Sequence, residues 1–156
     1  MSEIHECLTV LCPFDHVPRA AAAYVACLAV EDGFPVVALR VKVGDLIVER
    51  RADLVLKHAR AYAGYEVMEI KWRAHDGGLY PIFRGTLTVE DETGKYCRLD
   101  LDGSYEPPLG LAGAVFDSVL GHHIAVGVAR ELLNEIKTGL EQAFNSGATA
   151  EPAGTS

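Results

Sequence analysis

Arg50 is the residue whose type and place fit worst together. It falls in register with Leu46, Val48, Ala52, Leu54 and Leu56, the apolar face of an alternating segment whose other face carries Glu49, Arg51, Asp53 and Lys57. An unpaired guanidinium costs several kcal/mol on such a face. Either it is a cation inside a cavity, set to receive a carboxylate or phenolate oxygen of a ligand, or a β-bulge near Glu49 to Ala52 turns it to solvent. His122 is the second anomaly. It lies on the apolar stripe of a C-terminal helical pattern, one turn after Ser118, as a ligand or proton-transfer group or as a satisfied core histidine. His122 and His123 diverge by about 100 degrees on a helix and cannot chelate one ion. The four cysteines, Cys7, Cys12, Cys27 and Cys97, show no CxxC spacing and no histidine at metal-ligand spacing, and they read as reduced, small core residues. Glu131 and Glu135, spaced i,i+4, read as a solvated face. HExxH, GxSxG, GxGxxG and GxxxxGK[ST] patterns are absent from the sequence. No catalytic residue, no metal site and no cofactor is therefore expected.

Composition narrows the partners. With 156 residues, 49% hydrophobic and 23% charged, the chain has the make-up of one ordinary folded domain. A net charge of −8 repels phosphates, which argues against nucleic acid and anionic membrane surfaces. The longest apolar run, Ala20 to Val30, is short of the roughly 20 residues of a membrane span. Glu3 and Glu6 stand where an export signal would be basic, so a cytoplasmic location is expected.

The elements that must position these residues follow from hydrophobic period. A strand is expected at about Ile4 to Leu11, then a helix at about Val17 to Val30, with Pro18 in its first turn and Gly33 and Pro35 ending it. From Val36 to Tyr105 the period is 2, in five segments separated by Gly44-Asp45, by the residues before Tyr65, by His75-Asp76-Gly77-Gly78 and by Glu92-Thr93-Gly94. That is an antiparallel meander with one covered face. From Leu111 the period becomes 3.6, and Ala125, Ala129, Leu132, Leu133, Ile136 and Leu140 form one stripe to about Phe144. Phe116, Leu120 and Ile124 project away from it, a patch suited to a homodimer or another partner. Residues 145–156 read as a disordered tail after a single domain over 1–144.

The order strand, helix, meander and long terminal helix, with the segments YPIFRGTLTV (80–89) and LDLDGSYEPPLG (99–110), resembles the START-like superfamily of polyketide cyclases, lipid-transfer domains and the birch pollen allergen. The Pro-Pro-x-Gly joint before the terminal helix is similar to bacterial members. The resemblance implies an α+β helix-grip fold: a curved antiparallel sheet of six to seven strands wrapped on a long C-terminal helix. Six strands are counted from the pattern, and a seventh would lie around Asp32 to Val36. The resemblance also implies a hydrophobic ligand held between sheet and helix, in a group where most members bind or carry and a minority catalyse.

The expected pocket wall comprises Met68, Trp72, Phe83, Leu101 and Tyr105 from the sheet and Val115, Val119 and His122 from the helix, with Arg50 as polar anchor. Two alternatives stand beside a lipid-, polyketide- or aromatic-binding protein. One is a cyclase or dehydratase in which Arg50, His122 or Tyr105 orients the substrate. The other is an interaction module with a filled core.

Overall fold

A computed structural model of the chain describes residues 2–43, 45–75, 82–106 and 118–154. The order of elements is β1 (Ser2–Val10), a 3-10 turn (Phe14–His16), α1 (Val17–Cys27), β2 (Ala29–Glu31), β3 (Phe34–Val43), β4 (Leu46–Tyr62), β5 (Tyr65–Ala74), β6 (Ile82–Asp91), β7 (Cys97–Glu106) and α2 (Ser118–Gly154). The strands form one antiparallel sheet in the order β1-β7-β6-β5-β4-β3-β2. β1 thus adds to one side of the meander beside β7 and β2 to the other beside β3, leaving β1 and β2 as the edges.

The seventh strand is β2. It replaces the last residues of the expected helix, since α1 stops at Cys27 and Ala29–Glu31 pairs with Val36, Pro35 and Phe34. The reason is the Asp32-Gly33 dipeptide. Both residues take positive φ, 54° and 83°, in a two-residue hairpin turn whose twist suits antiparallel strands. β4 is also longer than its period suggested, because it continues through a bulge between His58 and Arg60 to a tight turn at Gly64.

Alternation decides which side chains go inside. Leu54, Ile70, Trp72, Phe83, Leu87, Leu99 and Leu101 are buried on the concave face. Against them α2 lays Ala125, Val128, Ala129, Leu132, Leu133, Ile136 and Leu140, also buried, at about 1.5–3 kcal/mol for each large side chain. The backbone of α2 comes closest to β1 and β7 on one flank and β3 on the other, the mark of a sheet curved around a helix. α2 extends to Gly154, past Phe144 where the apolar stripe ends and into the segment expected to be a disordered tail. Asn145, Ser146 and Gly147 are exposed there. Cys12 and Cys97 are core residues as expected, whereas Cys7 and Cys27 are exposed. In β1 the odd positions face outward, and Cys27 is the last residue of α1.

Candidate functional site

One row of side chains crosses the concave face: Leu54, Trp72, Phe83 and Tyr105 are successive partners in the β4-β5-β6-β7 ladders. Period 2 puts them inside and the register aligns them. Trp72 and Phe83 stack with ring centroids 3.9 Å apart and planes 11° apart. The next row contains the Gly85-Gly103 pair, where a Cβ on Gly103 would overlap the Phe83 ring and the Arg84 carbonyl. Two glycines therefore give the aromatic pair its space. Trp72 is 1% exposed, yet its Nε1 has no hydrogen-bond partner among the described residues. An unmet buried donor of this kind costs about 1–3 kcal/mol. At the far end of the row, the Tyr105 ring lies 6.2 Å from that of His122 at a tilt of 42°.

Five of the nine expected pocket residues, Met68, Trp72, Phe83, Leu101 and Tyr105, are buried on this face. Met68 and Leu101 flank Leu87, two rows from Trp72. His122 departs from its apolar stripe and is exposed, touching the site through Tyr105. Arg50 pairs with Leu39, and its side chain lies outside the described residues. Its backbone is four residues along β4 from Leu54, about 13 Å of strand. Val115 and Phe116 are outside the described residues, as are the side chains of Val119, Leu120 and Ile124.

Sequence reading passed over several polar groups that the fold gathers. Glu66 shares the inward parity of Met68 and is 8% exposed; its Oε1 lies 3.4 Å from His58 Nε2. Glu6 also points inward and accepts from Arg130 Nε at 3.0 Å, tying the edge strand to α2. On the opposite face Asp53 is 5% exposed and accepts from Arg73 Nε at 3.3 Å, with His75 Nδ1 2.5 Å from its other oxygen. Glu31 joins this cluster, accepting from Arg51 at 2.6 Å. Parity would have revealed Glu66; the Asp53 cluster needed the β2 hairpin.

Two openings are described at the surface. A groove of about 730 Å³ runs between α1 and the end of α2, lined by Arg19, Ala23, Tyr24, Glu135, Gly139 and Phe144 among others. Tyr24 lies beneath it with its hydroxyl buried and unpartnered among the described residues, its pKa pushed up to about 12 by burial and then by Glu135. A shallower one of about 430 Å³ lies beside His5, Arg84 and Asp102.

No family model matches the chain, and no curated protein matches it in sequence. Solved structures do resemble it. The Zhui aromatase/cyclase of a Streptomyces species superposes with a TM-score of 0.51 at 17% identity, over 91% of this chain and 93% of the other. A conserved protein of Geobacillus kaustophilus gives 0.54 at 10% identity, over 94% and 97%. A START superfamily protein of Mycobacterium smegmatis gives 0.47 at 11% identity, over 92% and 97%.

Proposed function

We propose, on the premise that this chain has the START-like helix-grip fold, that it binds a small, flat, largely apolar molecule between the sheet and α2, beside the Trp72-Phe83 stack. The observation that carries the reading is the buried Trp72 Nε1 without a partner among the described residues. A ligand carrying a hydrogen-bond acceptor would satisfy it while its apolar body lies on the aromatic row. Met68, Leu101 and Tyr105 complete the sheet side; Val115, Val119 and His122 are assigned to the helix side, and Arg50 to the anionic end of the ligand. The protein would act in the cytoplasm, a reading consistent with its four free cysteines. No helix of the described residues is long and apolar enough to cross a membrane.

The test uses the one tryptophan of the chain. Titration with the anionic dye anilinonaphthalene sulfonate is expected to saturate at one equivalent and to change Trp72 emission. Arg50→Gln is expected to weaken it. With an aromatic ketone in place of the dye, Trp72→Phe is expected to cost about tenfold in affinity, one hydrogen bond of about 1.4 kcal/mol. Absence of saturable binding by any apolar probe refutes the proposal.

A cyclase- or dehydratase-type enzyme is the second reading, favoured by the approach of the Tyr105 and His122 rings. It requires Tyr105→Phe to abolish turnover of a polyketide-like substrate while leaving its binding intact. Self-association through Phe116, Leu120 and Ile124 is a separate proposal, tested by sedimentation of Leu120→Glu against the unaltered chain.

A further inference from the structure

We propose a second site, unrelated to the concave face: a transition-metal site of the zinc class on the outer surface of the β1-β7 ladder, with His5, Cys7 and Asp100 as ligands and Asp102 behind the histidine. The register builds it. His5 pairs with Asp102 and Cys7 with Asp100, so two adjacent outward pairs place four donor side chains in a square. One ligand atom each of His5, Cys7 and Asp100 lies within 4.8 Å of the other two. An ion with ligands at about 2.0–2.3 Å requires donors about 3.3–3.8 Å apart, a contraction within the reach of side-chain rotation.

The imidazole is already held as a ligand would be. Its Nδ1 bonds Asp102 Oδ1, while its Nε2 faces Asp100 Oδ1 at 3.9 Å. With the Nδ1 proton donated to Asp102, Nε2 keeps its lone pair on the side of Asp100 and Cys7. This is the carboxylate–histidine–metal relation that orients ligating histidines and raises their basicity. Imidazole, thiolate and carboxylate together suit Zn²⁺ and its neighbours better than Mg²⁺ or Ca²⁺, and the exposed face leaves a fourth position for water.

Arg98 is the competitor. Its Nε and Nη2 donate to Asp100 Oδ1 at 3.2 and 3.0 Å. With Cys7 ionised, two carboxylates and a thiolate against one guanidinium leave an excess of two negative charges, which a divalent ion neutralises. Binding must draw Asp100 away from Arg98 or use its second oxygen.

The experiment is cobalt(II) titration of the full chain, stripped by chelator and kept reduced. One equivalent is expected to produce the sulfur-to-cobalt charge-transfer band, and Zn²⁺ to abolish it by displacement. Cys7→Ser is expected to remove the band, while Cys27→Ser, the other exposed thiol, keeps it. Asp102→Asn is expected to keep the band and weaken affinity about 10–100-fold. Arg98→Gln is expected to tighten binding. Cys7, Arg98 and Asp102 lie on the outer face of the ladder and Cys27 is exposed at the end of α1, and circular dichroism of the metal-free variants checks that each is folded. No band, or a band that survives Cys7→Ser, overturns the proposal, as does a Cys7→Ser variant that binds Zn²⁺ as tightly as the unaltered chain.

Discussion

Replacing Gly139 by alanine sets two calculable effects against each other. In a helix interior alanine is better than glycine by about 1 kcal/mol, so propensity alone favours the change. The structure opposes it, because a Cβ at Gly139 would overlap three atoms of the Tyr24 ring. Tyr24 is only 9% exposed and belongs to the buried cluster, so its ring must shift against packed neighbours to admit the methyl. Overpacking of this kind costs about 1–3 kcal/mol. The net expectation is destabilisation by up to about 2 kcal/mol, a fall of up to about 8 °C in Tm for a chain of this size. A Tyr24→Leu background removes the obstacle, and there Gly139→Ala is expected to stabilise by about 1 kcal/mol. Thermal and urea unfolding, followed by far-ultraviolet circular dichroism on all four proteins, measures the coupling. A single Gly139→Ala substitution that raises Tm in the unaltered background refutes the close α1-α2 contact.

Two further outcomes follow from local chemistry. Brief alkylation near neutral pH is expected to modify Cys7 and Cys27 only. Burial and then nearby acidic groups raise Cys12 to about 11, and burial foremost raises Cys97 to about 12, so four adducts on the folded protein would contradict the structure. Glu141 couples stability to pH. Burial acts to raise its pKa, but the Lys137 ammonium at 2.6 Å and the Leu11 amide at 2.8 Å outweigh it and hold the carboxyl below its usual 4.5. Its contribution, about 1 kcal/mol, is present above the usual value and lost as pH falls through the lower folded one. Glu141→Gln is therefore expected to be less stable at neutral pH, with the gap closing as pH falls through the lowered folded value; urea midpoints that differ equally at neutral and at strongly acid pH refute the assignment.

The zinc-class proposal shows what chain-local spacing overlooks. His5 and Cys7 sit two apart, as do Asp100 and Asp102, and each pair alone looks like the wet face of a strand. Their meeting depends on β1 closing against β7, a contact between residues more than 90 positions apart. The same holds for Trp72. Its burial follows from alternation with Lys71 and Arg73, but its stack on Phe83 follows from the register set by the β5-β6 ladder.

Hydrophobic period, read along the chain, was sufficient for the meander, the long terminal helix and the inward set of Met68, Trp72, Phe83, Leu101 and Tyr105. Side chains two apart on a strand, or three and four apart on a helix, share a face whatever the tertiary context. A strand of three residues carries too few alternations to register, so β2 was absorbed into the preceding helix until the Asp32-Gly33 turn fixed its pairing. Helical period also placed His122 among the apolar residues, and its exposure followed from where α2 meets the sheet. Faces are local properties of the backbone; neighbours across strands, and the polar groups they bring together, exist only after the chain has closed its long loops.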